Sequence, residues 1–172
     1  MNEVLKAIAE RRSIRGYEDK QISAEELNAL VKVALESPSA RNAQPWHFSF
    51  VQDKALIDAV DKEILKNAGR EGTIFYGAPL VIFISADASN SFAGVDSGIA
   101  TQNIALAAHS MGLGSVILGM PRFAFEGEKG AEFEKALKFP QGHKFQIALS
   151  VGYPTMGKDA HEIFDGKVDI IA

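Results

Sequence analysis

The 172-residue chain contains no cysteine. That absence excludes disulfides, thiolate nucleophiles, iron–sulfur clusters and thiolate zinc sites. An excess of positive charge is also missing: the formal net charge is −4 and the pI about 5.6. A general nucleic-acid binder, which needs a broad basic face, is thereby disfavoured. The longest apolar run, Ala78 to Ala86, falls well short of the roughly 20 residues a membrane-spanning helix requires. The opening MNEVLKAIAERR alternates charge with apolar residues and has no continuous apolar core, so it does not read as a signal peptide. A cytoplasmic setting is the expectation. Repeats, low-complexity tracts and internal linkers are absent too.

What remains is an ordinary globular balance, 47% hydrophobic and 23% charged. A chain of this length hides roughly 70% of its unfolded surface, enough for a real core. A single domain over 1–172 is therefore expected. Val4, Leu5 and Ile8 share one face of a helix over 3–10. Ser23 and Glu26 form a capping box that opens a helix with Leu27, Leu30, Val31, Ala34 and Leu35 on its apolar positions. A polar loop over 37–45 precedes a strand from His47 to Val51 and a helix from Lys54 to Lys66. Pro79 to Ala86 is apolar throughout and rich in β-branched residues, as a strand buried on both faces would be. Gly98 to Met111 reads as a helix of small residues suited to close helix packing, with Gly112 as its C-cap. A strand at Ser115–Leu118, a helix at Ala131–Leu137 and a strand at Phe145–Val151 follow. Lys167 to Ile171, after the turn signal Asp165-Gly166, reads as a last strand. The interleaving predicts an α+β class.

Arg11-Arg12-Ser13-Ile14-Arg15 puts three guanidinium groups into five residues of an acidic protein. If extended, it directs Arg11, Ser13 and Arg15 to one side. Two guanidinium forks and a hydroxyl on one side suit a phosphate. The competing reading is a basic cluster completing a helix C-terminus. Ser37 to Trp46 offers Ser39, Asn42 and Gln44 on a loop stiffened by Pro38 and Pro45, with Trp46 as a core plug. Gly152 to Lys158 matches a P-loop pattern, but Asp159 stands where Ser or Thr must hold magnesium, and Pro154 removes an amide donor. It is rejected as a nucleotide-triphosphate motif, while Lys158 stays a candidate phosphate contact. Gly119 falls at the carboxyl end of a buried strand, where a ligand can approach the backbone. His47, His109, His143 and His161 lack metal-ligand spacing, and His109 reads as a core residue. Together the residues suggest an anionic ligand and no side-chain nucleophile, which is the profile of a cofactor enzyme.

Five motifs, in order, resemble the nitroreductase family of FMN-dependent oxidoreductases. They are the Arg11–Tyr17 run, Ser37–Phe48, Phe75-Tyr-Gly-Ala-Pro79, His109–Gly119 and Val151-Gly-Tyr-Pro154. The resemblance implies a central mixed sheet flanked by helices, in an intertwined homodimer with FMN at the interface. It places Arg11, Ser13 and Arg15 on the phosphate, ribityl chain and pyrimidine edge, with Arg12 nearby. Pro38, Ser39, Ala40, Asn42 and Gln44 would reach the flavin from the partner subunit. Gly119 and Met120 would lie near flavin N5, and Lys158 with His161 would complete the phosphate site. Hydride from NAD(P)H would pass through the flavin to a nitroaromatic, quinone or related small acceptor in two steps, with no side-chain acid or base required. The sequence departs from the family pattern at Ala40, where a hydroxyl is frequent, and at His161, where Arg or Lys is common. It is also short between Ala86 and Gly98, which implies that no helix covers the flavin. By the same resemblance the tail exchanges onto the partner's sheet. A flavin-binding carrier or sensor without turnover is the alternative.

Overall fold

The computed structural model describes residues 2–171; Met1 and Ala172, the ends of the expected domain and tail, lie outside the described residues. Four strands form one sheet in the order β1-β2-β4-β3: β1 Trp46–Val51, β2 Leu80–Asp87, β3 Gly114–Leu118 and β4 His143–Gly152. All three pairings are antiparallel. The mixed sheet expected from the sequence is thus met, among the described residues, only by an isolated parallel bridge, Ser13 to Ser115.

Strand alternation sorts the core into two layers. Leu80, Ile82 and Ile84 of β2 face a cluster shared with α2 (Ala24–Leu35) and α4 (Ala93–Ser110). Val81 and Phe83 face the opposite cluster, which holds Ile57, Val60 and Ile64 of α3 (Lys54–Ala68). Ala124 of α5 (Arg122–Phe125) and Phe133 of α6 (Gly130–Ala136) join that second layer. Helix α2 begins where the capping box predicts. Ser23 Oγ accepts the Glu26 amide at 3.2 Å, and Glu26 Oε2 accepts the Ser23 amide at 2.9 Å. Helix α3 ends at Gly69, whose φ of +61° is the left-handed C-cap glycine tolerates.

Several boundaries differ from expectation. Helix α4 starts at Ala93 instead of Gly98, because its outward Gly94 and Gly98 carry no side chain and leave the apolar pattern blank. Its small residues Ala100, Ala105 and Ala108 are fully buried in the chain's own core, so they do not serve an outward helix contact. Strand β4 starts at His143, two residues before the expected Phe145. The tail forms no strand in this chain: residues 167–171 are irregular and exposed. Helix α1 (Glu3–Glu10) buries none of its residues, leaving Val4, Leu5 and Ile8 more than half exposed.

Candidate functional site

Helix α1 stops at Glu10, and Arg11 leaves it with φ −55° and ψ 133°. The Arg12 guanidinium folds back, donating to the carbonyls of Ala9 at 2.7 Å and Arg11 at 2.9 Å. Arg12 therefore does what the competing sequence reading allowed and caps its own helix. Beyond it the chain runs as a strap between two strands. The Ile14 amide donates to the Ser115 carbonyl at 2.9 Å, and the Glu18 amide to the Tyr153 carbonyl at 2.9 Å. Ile14 is buried and points inward, so alternation turns Ser13 and Arg15 outward. A Cβ on Gly114 would sit 3.0 Å from the Ile14 side chain, so the strap lies close against β3. Tyr17 locks the strap from below: its hydroxyl donates to the Ile14 carbonyl at 2.7 Å. Burial pushes the Tyr17 hydroxyl far above its ordinary pKa, partly countered by Arg15, and keeps it a donor.

Arg11, Arg12 and Lys158 line one cavity of about 360 Å³, together with Gly112, Leu113, Gly114 and Ser115. Glu10 and His109 line it as well. His109, expected in the core, is half-buried and turns toward this cavity from the last turn of α4. The signal that could have placed it is its position three residues before Gly112, which carries it to the same helix end as the glycines. His161 is exposed in the irregular tail and does not line the cavity.

From the cavity, β3 leads to Gly119, four residues past Ser115 and about 13 Å along a strand rising about 3.3 Å per residue. The exposed Arg15 holds its guanidinium 5.8 Å from the centre of the Tyr76 ring. Gly119 is exposed, and a Cβ there would meet nothing within 4 Å, so its backbone is open to a ligand. Met120 beside it is half-buried, its sulfur 3.8 Å from an Arg70 guanidinium nitrogen.

The second predicted element lies elsewhere. Residues 40–42 form a single 3₁₀ turn after Ser39. Arg41, Asn42 and Gln44 all have positive φ, 55°, 54° and 46°. Three non-glycine residues in the left-handed region cost free energy that the surrounding contacts must offset, a pattern concentrated at binding sites. Ser39 Oγ accepts the Gln44 amide at 2.9 Å, and Gln44 Nε2 donates to Asn42 Oδ1 at 2.9 Å. The turn is anchored to α4 by Asp96, whose Oδ1 accepts the Ala40 amide at 3.0 Å. Trp46 fills the core behind it, as expected.

Asp96 and His109 mark the separation of the two elements. They stand thirteen residues apart on the same helix, about 20 Å at a rise of about 1.5 Å per residue. Within one chain, the cation-lined cavity and the Asn42 turn occupy opposite ends of α4. Chemically, the cavity, the polar strap and the open glycine suit an elongated ligand with an anionic end and a group that contacts backbone at the other. Among the described residues no group of His, Asp and Glu is placed to hold a metal, and no helix is long and apolar enough to cross a membrane.

The model of the Nitroreductase family matches residues 8–153. A nitroreductase with bound FMN from Desulfitobacterium hafniense DCB-2 superposes with a TM-score of 0.94 and 35% identity, over 100% of both chains. A second nitroreductase with bound FMN, from Bacteroides fragilis NCTC 9343, gives 0.92 and 25%, again over 100% of both. An FMN reductase [NAD(P)H] of Bacillus subtilis is 31% identical over 144 residues, 71% of this chain and 56% of that protein. By a match that spans the strap, the Asn42 turn and the path to Gly119, the chain belongs to the Nitroreductase family.

Proposed function

We propose that this chain is an FMN-dependent NAD(P)H oxidoreductase whose flavin sites are each assembled from two copies of the chain. The observation that carries the proposal is the placement of the two predicted site elements at opposite ends of α4. No single copy can bring Asn42 to the Arg11–Lys158 cavity. An antiparallel pair of α4 helices would bring each Asn42 turn to the partner's cavity, and the uncovered apolar residues support such pairing. Val95 and Ile99 of α4 are 61% and 38% exposed, and the Val4, Leu5 and Ile8 face of α1 is likewise open.

The residues present fit FMN. Arg11 and Lys158 would hold the phosphate by charge-assisted hydrogen bonds, with Ser13 beside them. Arg15 would lie along the ring edge, where a cation stabilises charge gathered on reduction. The backbone of Gly119 and Met120 would face the reacting edge without a side chain in the way. Pro38, Ser39, Ala40, Asn42 and Gln44 would enclose the flavin from the partner. Held there by these residues, FMN would supply the chemistry of hydride transfer between NAD(P)H and a nitroaromatic, quinone or related acceptor. The protein's part is positioning and electrostatics. Only a short turn from Ala88 to Phe92 joins β2 to α4, so no inserted helix from that connection covers the site.

The tail fits the same pairing. The outer edge of β3 carries a bridge to the strap at Ser115, whereas among the described residues β1 pairs only with β2. Exposed Val168, Ile170 and Ile171 would pair with the open edge of the partner's β1 and cover it. Steady-state NAD(P)H oxidation with nitroaromatic and quinone acceptors, on protein reconstituted with FMN, tests the enzymatic reading. Flavin binding without turnover on any acceptor would favour a carrier or sensor.

A further inference from the structure

We propose that Arg70 is a specificity residue of the acceptor site, selecting aromatic acceptors that carry a carboxylate. The inference deepens the FMN reading above and rests on it for the place where an acceptor is reduced. Arg70 belongs to neither of the site elements described so far. It follows Gly69, the left-handed residue that ends α3, and its amide donates to the Leu65 carbonyl at 3.0 Å. That bond ties its backbone to the helix end. The helix end is held in turn against the segment after β3, where Asn67 Nδ2 donates to the Phe123 carbonyl of α5 at 2.8 Å. Arg70 is thereby carried to Met120, with a guanidinium nitrogen 3.8 Å from the sulfur. Met120 adjoins Gly119, whose exposed backbone is open to a ligand.

The guanidinium beside Met120 is uncommitted. A thioether sulfur is a weak acceptor, and Arg presents several N–H donors in a fixed fork. Among the described residues Arg70 forms no ion pair. Glu63, the buried carboxylate of the same helix, is already shared by Lys66 at 3.3 Å and Lys129 at 3.7 Å. Arg15, at the far end of the connection that Arg70 opens, stands against the Tyr76 ring and is assigned to the flavin by the reading above. Arg70 is the cation with no such assignment. Its contact with Met120 restrains the side chain, so less rotamer freedom is lost when a ligand pairs with it. A carboxylate meets the fork with two parallel charge-assisted hydrogen bonds, which a neutral amide of the same size does not offer. An acceptor with its reducible group toward Gly119 and its carboxylate toward Arg70 uses both features.

The test is steady-state kinetics of the FMN-loaded full chain with NADH as donor, on wild type, Arg70→Gln and Arg70→Lys. The acceptors are para-nitrobenzoate and its neutral isostere para-nitrobenzamide. Because the two differ in intrinsic reactivity, the readout is the ratio of their kcat/KM values in each protein. Arg70→Gln should lower that ratio about fivefold, the scale of a solvent-accessible ion pair, through a higher KM for nitrobenzoate. Every constant for nitrobenzamide should stay unchanged, and Arg70→Lys, which keeps the charge, should lose less of the ratio. An unchanged ratio, or an equal loss with both acceptors, overturns the proposal. An unchanged ratio with a raised KM for NADH assigns Arg70 to the donor's phosphates, and overturns it too. Absence of turnover on any acceptor overturns the enzymatic reading instead. In that case saturation-transfer NMR decides for Arg70. A nitrobenzoate signal lost in Arg70→Gln, with the nitrobenzamide signal kept, supports it; equal signals in the two proteins overturn it.

Discussion

The Asp96 carboxylate accepts the Ala40 amide at 3.0 Å, tying the first turn of α4 to a residue 56 positions earlier in the chain. Among the described residues its other oxygen is buried without a partner, so this one bond is the visible return for burying the group. Asp96→Ala should free the Asn42 turn and leave the Ala40 amide unpaired, at about 1–3 kcal/mol. Part of that cost should appear as weaker FMN binding in equilibrium titration. Because Asp96 is about 20 Å from its own chain's cavity at helical rise, unchanged FMN affinity would mean that the turn never reaches a flavin.

Phosphate recognition predicts a cofactor hierarchy. FMN should bind more tightly than riboflavin, and Arg11→Ala or Lys158→Ala should each weaken FMN by roughly 1.5–3 kcal/mol, the value of a charge-assisted hydrogen bond. Riboflavin affinity should change little in either variant. Equal binding of the two flavins by the wild type would remove the phosphate assignment. His161→Ala should leave FMN affinity nearly unchanged, since His161 stands outside the cavity.

Dimer formation is best probed on the outer face of α4. Ile99→Glu places a charge on an exposed position, so the fold should survive while the pairing does not. Sedimentation should show a monomer, and flavin content should fall with it. Ala105→Trp is a poorer probe, because Ala105 is fully buried in the chain's own core and the substitution would unfold the protein first. A monomeric Ile99→Glu protein that keeps FMN would contradict the shared site.

Deleting residues 168–172 should weaken the proposed dimer and lower apparent FMN affinity together, since in that pairing both sites would straddle the interface. Gel filtration at decreasing concentration, with absorbance at the flavin band, reads both at once. An intact dimer with full flavin after the deletion would leave the tail without a structural part.

Acid should destabilise the sheet edge through His47. Burial, and secondarily the neighbouring His143, hold its pKa below the ordinary imidazole value of 6.5. The fold thus prefers the neutral ring. As pH falls below about 6.5 the unfolded chain takes up the proton first, so stability drops through the window down to the folded-state pKa. Thermal unfolding at about pH 7.5 and 5.5 should show a smaller loss in His47→Gln than in wild type.

Local signals in the sequence were read well where side chains carry them. The Ser23–Glu26 box marks the start of α2, and the β-branched run before Ala86 marks a strand buried on both faces, as β2 is. The start of α4 was missed because glycines at 94 and 98 hold outward positions where no periodicity can register. The Arg11–Arg15 segment reads as a candidate anion binder, but which of its arginines caps the helix is not legible in it. Which arginine caps the helix depends on how the chain turns after Glu10, and spacing does not encode that. His109 was misplaced for a related reason. A lone histidine among alanines looks like core until the helix end, and the cavity beyond it, are known. The positive φ values at 41, 42 and 44 were invisible, because none of these residues is glycine and tertiary contacts impose the conformation.

In the proposed pair, α4 works as a gauge block. Each site is closed by one copy's helix start and the other copy's helix end, so the length of α4 sets the gap into which the flavin must fit. One inserted residue would advance the far end by about 1.5 Å and swing it by about 100°. Because the two copies are equivalent, the same error would appear in both sites. In that pair α4 could not gain or lose a residue without detuning both proposed flavin sites simultaneously.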